Sequence, residues 1–311
     1  MHDKQFVNRA LEILAVLLVV SLGACIFVCT ASATGTSRLQ AMVSILPLKY
    51  FVERIGGERV DVSVMVAPGA NPATYEPRPR QMAVLSRAEI YFAIGVPFEK
   101  TWLPRFERIN PAMEIIPVQK GIKLYPISGD TSPENQWERR GFSPTMMDPH
   151  IWLSPPLVML QARNILDALL EKRPKDSSYF QARYLDFIEQ IAQTDLKIMN
   201  MFQSISSEIG RQRAFMVYHP CWGYFARAYG LRQIAIEEKG REPKPARLVT
   251  LAKMAKRLGI KTILIQPQYS KKSAEAVADS IGATLLPADP LAYEWDKNLL
   301  SVARKIKENL R

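Results

Sequence analysis

Few residues in this chain can hold an ion or activate a nucleophile. Its 311 residues include only three His (His2, His150, His219) and three Cys (Cys25, Cys29, Cys221), so a site of imidazole or thiolate must use nearly the whole supply. His150 stands in Asp148-Pro149-His150-Ile151-Trp152-Leu153-Ser154, a loop closing onto a helix start. His219 follows a β-type run, Ala214 to Tyr218, and Asp289 follows another, Ala283 to Leu286. Such strand ends are where open α/β sheets bind ligands. A fourth loop of this kind, Ala67 to Pro77, takes the equivalent place in the first half, so four loops can converge on one cleft. Two imidazoles and a carboxylate are ordinary zinc ligands. On spacing alone, neither histidine is distinguished from a packed core residue, and Asp-Pro is a common turn opener. Cys221 is expected to be a buried structural thiol. Glu237, Glu238, Glu242 and the Lys239 to Pro245 segment are expected to form a solvated loop, and Tyr75 and Trp152 to pack in the cleft wall.

Positioning those groups requires an α/β fold. After Arg38, short β-type runs alternate with helical patterns, the signature of strands joined by crossover helices in a parallel sheet. The first half offers strand candidates at Ala41 to Leu46, Val60 to Val66, Glu89 to Ile94 and Glu114 to Val118. In the second they fall at Ala214 to Tyr218, Gln233 to Ile236, Lys261 to Gln266 and Ala283 to Leu286. The halves share one grammar without an evident repeat, which predicts two similar α/β lobes. Between them a helix is expected to open with Ser154 as N-cap and Pro155 at the first helical position. A longer one, from Ser177 to about Ile209, places Tyr184, Phe187, Ile188, Ile191, Leu196, Met199, Phe202 and Ile205 at helical spacing. At 1.5 Å per residue it would run on the order of 45 Å, enough to tie both lobes together. Pro126 to Met147 reads as an exposed loop.

The amino end reads as targeting. Lys4 and Arg9 precede an uncharged stretch from Ile13 to Ser37, and Ala31-Ser32-Ala33 suits cleavage after Ala33. Leu22-Gly23-Ala24-Cys25 would alternatively place a lipid on Cys25, and the uncut segment is long enough to span a bilayer. All three routes deliver the rest of the chain outside the cytoplasm. The expected domains are residues 1–33 as signal, 38–172 as the first lobe, 173–210 as linking helix and 211–311 as the second lobe. Lys and Arg outnumber Asp and Glu by 41 to 30, and the surplus lies almost wholly in the second lobe. Without a base-reading helix or an aromatic-basic ribbon, that surplus indicates a basic surface near an anionic membrane rather than a nucleic-acid site.

Pro68-Gly69-Ala70-Asn71-Pro72-Ala73-Thr74-Tyr75-Glu76-Pro77, Asp148-Pro149-His150-Ile151-Trp152-Leu153-Ser154-Pro155, His219-Pro220-Cys221-Trp222-Gly223-Tyr224-Phe225, Lys239-Gly240-Arg241-Glu242-Pro243 and Asp289-Pro290-Leu291 resemble the successive motifs of the zinc/manganese substrate-binding proteins of ABC transporters (cluster A-I). They occur in the family's order and cover nearly all of residues 40 to 311. The resemblance implies two α/β lobes bridged by one rigid helix, a divalent metal held between them, delivery to a membrane ABC permease, a monomer, and no catalysis. It places metal ligands on His150, His219 and Asp289. A histidine at the position of His219 goes with zinc-type sites in that family, so Zn2+ is expected, with Mn2+ the alternative; imidazole suits zinc and oxygen-rich sites suit manganese.

One family ligand is missing. The Pro-Gly loop normally carries a histidine two residues before the Tyr of Tyr-Glu-Pro, and here that residue is Ala73. Three protein ligands remain, with the fourth position open to water or Glu76. Two other readings follow: a degenerate member that binds another solute or an already chelated metal, and a zinc hydrolase using the open position for water. No His-Glu-x-x-His pattern supports the hydrolase.

Overall fold

A computed structural model describes residues 37–128, 130–131, 147–203, 213–237, 240–269 and 271–310. Residues 38–311 form one compact unit. The proposed signal and anchor segments and most of the Pro126 to Met147 loop lie outside the described residues. Among the described residues no helix is long and apolar enough to cross a membrane.

Two four-stranded parallel sheets carry the fold. In the first, β1 (Leu39–Val43), β2 (Val60–Val64), β3 (Ile90–Ala93) and β4 (Glu114–Pro117) lie in the order β2-β1-β3-β4. The second has β5 (Ala214–Val217), β6 (Arg232–Ala235), β7 (Thr262–Ile265) and β8 (Thr284–Pro287) in the order β6-β5-β7-β8. The orders are the same, as the shared grammar of the halves predicts. Every strand lies within a residue or three of its expected ends. The inner strands read as continuous apolar runs because both faces are covered: β3 (IYFA), β5 (AFMV) and β7 (TILI) are buried at every position.

Crossover helices α1 (Leu46–Gly56), α2 (Pro79–Leu85) and α3 (Pro97–Ile109) serve the first sheet, and α6 (Gly223–Ala228), α7 (Pro245–Leu258) and α8 (Lys272–Ile281) the second. Between the sheets run α4 (Pro155–Lys172) and α5 (Ser177–Gln203), and α9 (Trp295–Asn309) closes the chain. Ser154 takes the N-cap position of α4 with an extended backbone, but its hydroxyl makes no capping bond. Pro155 and Pro156 remove two of the four N–H groups a cap would serve, which explains the loss. On α5 the buried stripe is Phe180, Phe187, Ile191, Thr194, Ile198 and Phe202. Leu196 and Met199 were expected on that stripe and are instead exposed at 52% and 36%. Leu196 is five residues past Ile191, about 140° around a helix, so it cannot share the face; Ile205 lies outside the described residues.

The second sheet splits its side chains by period two. Phe215, Val217 and Leu264 point into a core shared with the first sheet, α4, α5 and α9. Ala214, Met216, Ile263 and Ile265 face α7 and α8 in a separate cluster. Residues of α9, at the carboxyl end, are therefore buried with residues of the first sheet. The indole of Trp295 packs edge-on to Phe51 at 5.4 Å and donates to the Trp152 carbonyl at 2.6 Å. Tyr50 of α1 donates to Asp296 at 3.0 Å, and Gln190 of α5 donates to the same carboxylate at 2.9 Å. On the other side, Asp130 pairs with Arg232 at 2.7 Å and forms an antiparallel bridge with Ile234, covering the edge of β6.

A shared core and these ties, beyond α5 alone, leave little room for hinge motion. A ligand shifts a conformational equilibrium only through contacts that differ between states. Solution scattering with and without ligand should give nearly superimposable curves. A drop in radius of gyration typical of wide domain closure would contradict this architecture.

Candidate metal-binding cleft

His219 sits just past the end of a strand and His150 just before a buried turn, and both are held by carboxylates. His150 precedes a single 3-10 turn, Ile151–Leu153, whose three side chains are buried and anchor the loop. Asp148, itself buried, accepts from the His150 backbone N–H at 2.9 Å and lies 2.6 Å from His150 Nδ1. Tyr224 of α6 donates to the Asp148 carbonyl at 3.1 Å, so the second half helps to place the His150 loop of the first.

His219 lies two residues past β5. Its backbone is clamped by Gln266: the His219 N–H donates to Oε1 and Gln266 Nε2 donates to the His219 carbonyl, both at 3.1 Å. Its Nδ1 is 2.8 Å from Glu237 Oε2. The Glu237 backbone extends the β6 ladder by donating to the Tyr218 carbonyl at 2.9 Å, which carries the carboxylate inward. Glu237 is only 7% exposed, so the expectation of a solvated loop fails at this residue. Burial holds His219 below the usual histidine range, with the Glu237 hydrogen bond pulling the other way. The neutral ring is the form that coordinates metal.

The two rings are neighbours, with centroids 5.3 Å apart at 73°. A carboxylate only accepts, so each Nδ1 directs its proton at its carboxylate, and an ion bound to either ring would take Nε2. This carboxylate–histidine arrangement is how metal-ligating imidazoles are oriented.

Asp289 follows β8 and is half-buried. Its Oδ1 accepts from the Leu291 N–H at 2.9 Å and from Gln268 Nε2 at 2.8 Å. The structure brings His150 and His219 together, while among the described residues no three His, Cys, Asp or Glu side chains are already gathered into a metal-holding group. Ala73 and Glu76 are both exposed. Cys221 is fully buried, accepts from Gln266 Nε2 at 3.3 Å, and has its pKa pushed well up by burial, as befits a structural thiol. Tyr75 packs edge-on to Phe98, and Trp152 packs tilted against His150 at 5.1 Å and 57°. Trp152 also reaches further than a cleft wall requires, donating to the Pro290 carbonyl at 2.8 Å.

Sequence reading missed Asp148 and Glu237 as partners of the imidazoles, and it missed Gln266, Gln268 and Tyr269, whose ring stacks on that of His219 at 4.7 Å and 17°. The signal for Asp148 was its place two residues before His150, the spacing of an Asx turn. For Glu237, lying past β6 beside the end of β5, only strand order could have paired it with His219.

Two sheets of identical order around a cleft with paired imidazoles, tied by a shared core, define a bilobal solute-binding protein. Residues 42–310 match the family model described as ZnuA, zinc-uptake complex component A, periplasmic, and the chain belongs to that family. It is 27% identical over 280 residues to the high-affinity zinc uptake system protein ZnuA of Bacillus subtilis, covering 88% of this chain and 86% of that one. It is 28% identical over 290 residues to a putative metal-binding protein of Chlamydia trachomatis, covering 92% and 96%. A crystal structure of ZnuA superposes with a TM-score of 0.80 at 38% identity, covering 88% of this chain and all of that one.

Proposed function

We propose that this protein captures one divalent metal ion between its lobes, zinc in preference to manganese, and delivers it to an ABC permease in the membrane. The ligands in this reading are His150, His219 and Asp289, with water or Glu76 in the fourth position. The observation that carries it is the pair of adjacent imidazoles, each with Nδ1 committed to a carboxylate so that Nε2 is left for the ion. Asp289 completes the set by exchanging its Gln268 bond for the metal. Two nitrogens and one carboxylate favour zinc over manganese. The family's extracytoplasmic setting fits the exported amino end, and the protein acts as a monomeric carrier without turnover. Competition with a chromophoric chelator tests this: one zinc ion per chain is expected, held more tightly than manganese. Binding of neither ion would instead favour the reading in which the cleft takes another solute or a chelated metal.

Ala73 supplies a second test. The Ala73 N–H donates to Asn71 Oδ1 at 2.9 Å, which fixes the loop at this residue. In Ala73→His an imidazole would replace a water in a site already holding three protein ligands, and zinc affinity is expected to rise at least about tenfold at neutral pH. The gain should shrink at mildly acidic pH, because a histidine of ordinary pKa about 6.5 must lose its proton to coordinate. An unchanged affinity at neutral pH would show that residue 73 does not reach the ion.

A further inference from the structure

The cations of the second lobe are gathered on one side of it. From Pro243 to Ala274 the chain carries six Lys and two Arg and not one Asp or Glu. This stretch builds α7, β7 and the turn that follows. α7 buries Leu251 and Ala255 in the cluster on the side of the second sheet turned away from the shared core. At about 100° per residue, Val249, Lys253, Lys256 and Arg257 fall on the opposite side of the helix. All four are exposed, Val249 at 55%, and Gly259 ends the helix in a left-handed turn that leads to Lys261, exposed as well. Among the described residues no ion pair engages Lys253, Lys256, Arg257 or Lys261, although α8 alongside carries Glu275 and Asp279. Cations near a helix C-terminus complement its dipole. That accounts for Lys256 and Arg257, and not for Lys253, Lys261 or the lack of any carboxylate in the stretch.

We propose that this outer face of α7 seats the protein on an anionic lipid bilayer. Lysines are compact charges on flexible stems and suit many separate headgroups, whereas bidentate recognition of a single acidic motif favours arginine. Val249, apolar and exposed among them, adds contact at the boundary between headgroups and acyl chains. His219 and Asp289 lie past the carboxyl ends of strands, while this face covers the flank of the sheet, so a seated protein keeps its cleft free. For the proposed metal carrier, seating holds it beside the membrane that contains its permease; the face itself does not depend on that reading.

Residues 38–311 hold every strand and helix described and leave out the apolar amino end, so they are the chain to test. Sedimentation without zinc compares vesicles of equal parts phosphatidylglycerol and phosphatidylcholine with vesicles of phosphatidylcholine alone. Binding to the anionic vesicles and not to the neutral ones is expected, weakening as salt is raised. Each Lys or Arg near an anionic surface contributes about fivefold, so Lys253→Gln, Lys256→Gln and Arg257→Gln combined should lower partition at least about tenfold. Arg80→Gln, Arg87→Gln and Arg108→Gln combined remove the same charge from exposed sites of the first lobe and should lower it less than about threefold. Glutamine is a good helix former, so circular dichroism of both variants should match the wild type. No preference of the wild type for anionic vesicles would overturn the seat and leave the face to an acidic protein partner. Equal losses in the two triple variants would overturn it by reducing the effect to net charge. Zinc plays no part in the measurement, so the seat and the carrier reading stand or fall separately.

Discussion

Zinc binding at micromolar concentrations is expected to disappear when His150 and His219 are both replaced by alanine. The two rings stand 5.3 Å apart and supply both nitrogen donors of the proposed site, so the double variant leaves Asp289 alone with solvent. A single carboxylate on a hydrated surface does not hold zinc against water, and a loss of at least about a thousandfold is expected. Neither ring is fully buried, the His150 and His219 side chains being 12% and 15% exposed, so the fold should tolerate the change. Far-ultraviolet circular dichroism is expected to be unaltered. The carboxylates behind the rings should matter less but measurably: Asp148→Asn or Glu237→Gln should cost about 10-fold to 100-fold, the usual effect of disturbing a group that orients a ligating imidazole. Zinc binding unchanged in the double variant would remove both histidines from the site.

The second large effect concerns stability. Trp295→Ala is expected to destabilise the protein by about 3–5 kcal/mol, the range for deleting a buried aromatic side chain. Trp295 is 1% exposed, packs on Phe51 of α1, and satisfies its indole N–H on the Trp152 carbonyl. Its loss leaves a cavity where the last helix meets the first lobe and strands a buried carbonyl. Trp295→Phe refills most of the cavity without restoring the hydrogen bond, and should recover most of the loss. Thermal melts of the three proteins measure this directly. A melting temperature in Trp295→Ala within a degree or two of the wild type would mean that α9 does not hold the lobes together as described.

Much of this arrangement was legible in the sequence because it depends on local patterns. Continuous apolar runs such as IYFA and AFMV announce strands covered on both faces, and alternation with helical spacing announces parallel sheets. Pro155, and the run from Ser177 to about Ile209 without Pro or Gly, mark the connecting helices. What could not be read depends on residues distant in sequence. The amphipathic face of α9 is plain, yet nothing in it says that Trp295 will meet Phe51, more than two hundred residues away. Glu237 looked like part of a charged loop because its neighbours are charged. It is buried because β6 lies beside β5 and directs it at His219. Leu196 and Met199 misled because apolar residues are frequent enough on α5 to suggest a wider stripe than the one that packs. Tyr269 drew no notice, since an aromatic residue in a turn has no meaning until its partner ring, that of His219, is known.

The most direct measurement is a crystal structure of the zinc-loaded protein with anomalous differences recorded at the zinc edge. The account predicts one peak in the cleft, about 2.0–2.1 Å from Nε2 of His150 and of His219 and about 2.0–2.2 Å from a carboxylate oxygen of Asp289. Asp148 and Glu237 would remain on the two Nδ1 atoms. No peak in the cleft, a peak away from the two imidazoles, or coordination through Nδ1 would contradict it.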